Sequence, residues 1–130
     1  MRKIKSILFL AFVFTLCANA QQKPEEPDFN QLAETEADRL ERILDLEVWQ
    51  TFYVDSTLKH DYAAMMEELS ALKDSKVSNS TMYVSIQDKW ADKIDESYKK
   101  IFTQEQWSAY LKSGAARNKK AREKRQAKLK

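Results

Sequence analysis

Ile101-Phe102-Thr103-Gln104-Glu105-Gln106-Trp107-Ser108-Ala109-Tyr110 reads as the end of one helix and the start of the next. Two apolar residues close a periodic run. Thr103 then offers its hydroxyl to the free amides of a new first turn, and Gln106 can reach back to the Thr103 amide, which makes a capping box. Glu105 puts a negative charge where the helix macrodipole favours one. Trp107 and Tyr110 follow on one face. Shifting the chain by 58 residues lays Ile43-Leu44-Asp45-Leu46-Glu47-Val48-Trp49-Gln50-Thr51-Phe52 over this stretch. Asp45 takes the capping place there, Glu47 the acid, and Trp49 and Phe52 the aromatics. Two repeated helix–cap–helix corners follow, and with them an all-α fold of four helices arranged as helical hairpins.

Composition agrees. The chain has 130 residues, one glycine and two prolines. Beyond Pro27 the only punctuating residue is Gly114. A β-sandwich or barrel needs turn residues about every 8–12 positions, and a dinucleotide or P-loop fold needs glycines against a phosphate. Both classes are excluded. Outward from the first corner, Ala33, Ala37, Leu40, Ile43 and Leu44 predict a helix from 29 or 30 to 44. Beyond Asp45 the periodic run predicts a second helix from 46 to about 75, with Trp49, Phe52, Leu58, Tyr62, Met65, Met66, Leu69 and Leu72 on its apolar face. Lys76-Val77-Ser78-Asn79-Ser80-Thr81 is turn-forming, and Asn79 or Ser80 caps a third helix ending near 101. Its stripe is Ile86, Trp90, Ile94, Tyr98 and Ile101. The pairs Asp38–Arg42, Asp95–Lys99 and Glu96–Lys100 have the i,i+4 spacing of helix-supporting ion pairs.

Residues 1–20 read as a secretory signal peptide: Arg2, Lys3 and Lys5, then an apolar run from Ile7 to Cys17, then the small-x-small site Ala18-Asn19-Ala20. A lipoprotein acylated at Cys17 is the rival, weakened by Leu16 where a lipobox has a small residue. Cleavage after Ala20 removes the only cysteine, so no disulfide is expected. Residues 21–29 read as a flexible tether, 30–116 as the helical domain and 117–130 as a basic C-terminal helical extension. Charge is split. Residues 21–75 carry 14 acidic and 5 basic side chains, and residues 76–130 carry 6 acidic and 14 basic. Such a split favours packing one half on the other, within a chain or between antiparallel partners.

Catalytic chemistry has little to stand on. His60 is the single histidine, with no metal-ligating residue one helical turn away. Glu25-Glu26 and Glu67-Glu68 read as solvated acids without a partner of fixed spacing, and no glycine-strained elbow supports a serine nucleophile. No metal, cofactor or enzymatic activity is expected, and nucleic acid is not an expected partner of an exported chain.

Phe102-Thr103-Gln104-Glu105-Gln106 resembles the Leu-Thr-x-x-Gln motif of the Spy/CpxP family of bacterial envelope proteins, with Phe in place of Leu. Leu44-Asp45-Leu46-Glu47-Val48 is the weaker first copy. It keeps Leu, replaces Thr with Asp45 and loses the Gln to Val48. The resemblance implies a periplasmic location, thin antiparallel dimers of helical hairpins, and ATP-independent binding of unfolded or stress-damaged envelope proteins. A regulatory partner of an envelope-stress sensor and a structural helical module without clients are the alternatives. The implied motif and cap residues are Asp45, Thr103 and Gln106. The apolar residues that suit loose client contact are Trp49, Phe52, Tyr53, Met65, Met66, Trp107 and Tyr110, each of which also suits a helix core. In the basic end, Arg117, Lys119, Lys120 and Arg122 suit early electrostatic capture of clients or contact with an anionic envelope surface.

Overall fold

The computed structural model describes residues 27–130. The signal-peptide reading, Cys17, Glu25-Glu26 and most of the tether lie outside them. The described residues are all helical apart from short connections: α1 Phe29–Leu44, α2 Val48–Asp74, α3 Ser80–Ile101, α4 Gln104–Tyr110 and α5 Ala116–Lys128. A wide π-type turn, Leu111–Ala115, joins α4 to α5, so the two form one interrupted fourth helix. Gly114 sits in that turn at φ 117°, a conformation that costs glycine little and a side-chain-bearing residue much.

Local chemistry sets the ends. The Asp28 carboxylate accepts from the Asn30 and Gln31 amides at 3.0 and 3.3 Å and starts α1. Asn79 does the same for α3, accepting from the Thr81 amide at 3.0 Å. At the far end of the α2–α3 hairpin, Lys76 takes the left-handed conformation and the Tyr83 hydroxyl donates to the Val77 carbonyl at 2.7 Å.

The core lies where the two corners meet. Ala33, Ala37, Leu40 and Leu44 of α1 pack with Leu46, with Val54 and Leu58 of α2, and with Tyr98 and Phe102 from the end of α3. Ala33 and Ala37 have no bulk, so α1 lies close to its neighbours. Leu40 and Leu58 are fully buried, each such side chain contributing about 1.5–3 kcal/mol. Trp107 and Tyr110 of α4 close this core from outside. Tyr110 meets Tyr98 edge-on, with ring centroids 5.2 Å apart.

The basic extension is helical as expected, but not all of its cations are open for capture: α5 lies on α3, and Arg122 and Arg125 meet a row of α3 carboxylates. Arg122 is buried, its Nε 2.8 Å from Asp92 and its second nitrogen on Asp95. Arg125 grips Asp88 through two 2.8 Å bonds, and Gln126 donates to Asp92 at 2.7 Å. Asp88, Asp92 and Asp95 sit at i, i+4 and i+7, so one face of α3 presents all three. The neutralising acids thus come from the basic half itself, not from the acidic half of the chain. The same row explains why Asp95–Lys99 does not form, since Asp95 faces Arg122 and Tyr110. Among the described residues neither Glu96–Lys100 nor Asp38–Arg42 pairs; on α1 the bridge is Arg39–Glu36 instead.

Candidate functional site

The two corners are tied to each other by a pair of glutamines. Thr103 is the N-cap of α4 as expected. Its hydroxyl accepts from the Gln106 amide at 3.2 Å, and its own amide donates to Gln106 Oε1 at 2.9 Å. At the first corner the cap is not Asp45. That residue ends α1 in the left-handed conformation, φ 53°, and the Leu46 amide reaches back to the Glu41 carbonyl at 3.2 Å. This is a C-terminal closure in which Asp substitutes for the usual glycine or asparagine. The N-cap of α2 is Glu47, whose amide donates to Gln50 Oε1 at 2.9 Å. The corners therefore correspond at a shift of 56 residues: Leu46 over Phe102, Glu47 over Thr103, Gln50 over Gln106. Gln50 Nε2 donates to Gln106 Oε1 at 2.6 Å and to the Ile101 carbonyl at 3.0 Å. Gln106 Nε2 donates to Gln50 Oε1 at 3.1 Å and to the Asp45 carbonyl at 3.4 Å. Each side-chain amide serves its own helix start and the other one, so Gln106 is a positioning group that fixes the corners together.

The residues expected to contact clients do not form one surface. Trp107 and Tyr110 are partly buried against the core, and burial followed by the bond donated to Asp95 pushes the Tyr110 phenol far above its ordinary value. Met65 and Met66 are half-buried; Met65 lines a crevice of about 240 Å³ with Tyr62, Ile94 and Arg122. Arg122 is consumed by Asp92 and Asp95 and cannot meet a partner. Lys119 pairs with Glu123 at 2.8 Å, while Arg117 and Lys120 face solvent.

Trp49, Phe52 and Tyr53 are the exception: all three are exposed and adjacent. Phe52 is 65% exposed, Tyr53 55% and Trp49 51%, and Val48 joins them at 84%. The rings brace each other edge-on, Trp49–Tyr53 at 6.1 Å and Phe52–Tyr53 at 5.9 Å, and the Trp49 indole donates to Glu47. The inner face of α2 carries Gln50, Val54, Leu58 and Asp61 instead. The register set by Glu47 turns the aromatics outward. Val48 and Phe52 also form one wall of a cleft of about 300 Å³ between α1 and α2, whose other lining groups include Glu34, Asp38, Glu41 and Asp55. Lys59 bridges Glu34 and Asp55 at 2.9 and 3.0 Å. Asp55 Oδ1 is buried without a hydrogen-bond partner. Sequence reasoning missed these acids and Gln50. Their signals were the i, i+4, i+7 spacing of 34, 38 and 41, and the Leu46…Gln50 interval that repeats Phe102…Gln106.

His60 projects into solvent beside Asp61, 2.8 Å away. No group of three or more potential metal ligands occurs among the described residues, and no described helix is long and apolar enough to cross a membrane. No family model, curated protein or solved structure matches the chain.

Proposed function

We propose that this chain is an exported, ATP-independent binding protein that holds unfolded or stress-damaged envelope polypeptides. The observation that carries the reading is the contiguous exposure of Val48, Trp49, Phe52 and Tyr53 at the start of a long helix. Isolated exposed apolar residues are ordinary, but a braced aromatic cluster marks an interaction surface. Aromatic side chains supply much contact area for little lost entropy, which suits variable partners. The glutamine tie holds the cluster on a rigid corner. The corner register supports the Spy/CpxP-like resemblance as well: Leu46-Glu47-Val48-Trp49-Gln50 retains the Leu and the Gln of that motif, more than Leu44–Val48 does. The capture step assigned to basic residues rests on Arg117, Lys120 and Lys124, which stay exposed, rather than on Arg122.

Aggregation suppression by the purified protein tests this. Wild type reduces light scattering of a thermally unfolding client without ATP. Phe52→Ser combined with Tyr53→Ser abolishes that protection while the melting temperature stays within a few degrees of wild type, because neither ring is in the core. Protection that survives this double substitution overturns the assignment of the surface.

A further inference from the structure

We propose that the cleft between α1 and α2 selects cationic segments of its polypeptide partners: a lysine or arginine next to an apolar side chain. This rests on the binding reading above and names the substrate class of that same surface. The cleft has two kinds of wall. Val48 and Phe52 offer apolar area on one side, at i and i+4 of α2. Glu34, Asp38 and Glu41 offer carboxylates on the other, at i, i+4 and i+7 of α1, and Asp55 closes the end. No cation lines it. Lys59 engages two of the four acids, Glu34 and Asp55, while Asp38 and Glu41 make no ion pair among the described residues. The docked α5 does not relieve this charge: Arg122 and Arg125 are committed to Asp88, Asp92 and Asp95, and no α5 cation pairs with the cleft's acids among the described residues. The acidic half of the chain therefore presents an uncompensated negative field beside an aromatic shelf.

A volume of about 300 Å³ is at the small end of ligand sites, which span about 300–1,000 Å³. It suits one or two side chains of an extended or helical segment, not a large cofactor. An amphipathic cation matches both walls. The stem of a lysine or arginine lies along apolar surface while its head reaches a carboxylate, and a neighbouring leucine or phenylalanine meets Phe52. Opposite charges steer encounter, and like charges at the rim penalise acidic segments. The chain's own Lys128-Leu129-Lys130 has this chemistry, with Leu129 exposed, so a second copy is the rival occupant.

The test compares two labelled peptides against the full chain by fluorescence anisotropy. One alternates lysine with leucine and phenylalanine; the other has glutamate at every lysine. The lysine peptide binds at least about tenfold more tightly at low salt. That preference fades as salt shortens the Debye length from about 10 Å at 0.1 M to about 3 Å at 1 M. Asp38→Asn with Glu41→Gln, both exposed, removes the preference without moving the melting temperature, and Phe52→Ser weakens both peptides. Equal affinity for the two peptides, with binding still lost in Phe52→Ser, overturns the charge selection and leaves the binding reading intact. Failure of both peptides to bind, with aggregation suppression indifferent to Phe52→Ser, overturns both. A dimer in sedimentation that Leu129→Ser dissociates, with the lysine peptide binding only the dissociated form, gives the cleft to a second copy and overturns the proposal.

Discussion

Gln50 shows how much a single side chain settles. It is buried, and it satisfies its own helix start, its counterpart Gln106 and the end of α3. Gln50→Ala leaves the Glu47 amide and the Ile101 carbonyl short of a partner, so a loss of about 1–3 kcal/mol is expected. Gln106→Ala should cost a similar amount. In a double-mutant cycle followed by thermal unfolding, the two losses should fall short of additive by at least about 0.5 kcal/mol, because each glutamine is the other's partner. Strict additivity would mean that the corners are independent. Thr103→Ala should cost about 1 kcal/mol as a cap. Asp45 behaves in the opposite sense. As the left-handed residue after α1 it carries backbone strain, so Asp45→Gly should be neutral or stabilising by up to about 1 kcal/mol. An N-cap would instead lose a few tenths on the same change. The aromatic corner residues divide likewise: Trp107→Ala should approach the lower end of the core range of about 3–5 kcal/mol. Half-exposed Trp49→Ala should cost well under that. The sequence made Thr103 plain because hydroxyl, acid and glutamine fall at capping-box spacing. It hid Glu47 because Asp45 is the better cap by residue type, and only tertiary contact between the two glutamines fixes the register.

At the scale of the element, α5 carries the clearest consequence. Its only apolar side chains are the small alanines Ala116, Ala121 and Ala127, and composition cannot show that Arg122, Arg125 and Gln126 meet three aspartates spaced along one face of α3. Arg122 and Asp95 are each about nine-tenths buried at the side chain. Removing one partner of such a pair leaves a charge without compensation, so Arg122→Ala should cost about 3–5 kcal/mol. Exposed Lys120→Ala should change stability by less than about 0.5 kcal/mol. Deleting residues 117–130 should lower the melting temperature markedly; an unchanged value would refute the docking. Acid probes the same contact. Burial works against the charged form of Asp92, yet hydrogen bonds from Gln126 and Arg122 outweigh it and hold the carboxyl below its ordinary value. A depressed folded-state value stabilises above the unfolded one, near pH 4, and that contribution disappears as pH falls through the folded-state value. Thermal melts across this window should show wild type losing stability, and Asp92→Asn losing less.

Over the whole molecule, hydrophobic periodicity marked the helices and their approximate ends, and the all-α architecture followed from it. Asp28, Asn79 and Thr103 bear this out locally. Periodicity could not say which apolar faces find a covering layer. Trp49, Phe52 and Tyr53 repeat at spacings that a core helix also uses, but among the described residues all three stay exposed. Tyr98 of α3 and Tyr110 of α4 sit on apolar stripes of the same kind and pack on each other against α1. That packing has a consequence at alkaline pH. Tyr98 is 2% exposed. Burial above all, then the neighbouring Tyr110 and Glu36, pushes its phenol far above the ordinary range, and burial raises Tyr110 as well. A folded-state value above the unfolded one of about 10 means that the contribution of these phenols is complete below pH 10 and declines as pH rises beyond it. Each unit of separation corresponds to about 1.36 kcal/mol. The molecule should therefore unfold cooperatively in alkali. Phenolate absorbance from these two tyrosines should appear together with the loss of helical circular dichroism. Tyr98→Phe removes one ionisable group and should move the alkaline midpoint upward. If both phenols ionise while the helical signal stays intact, water reaches them in the folded state, and the corner core is looser than its packing implies.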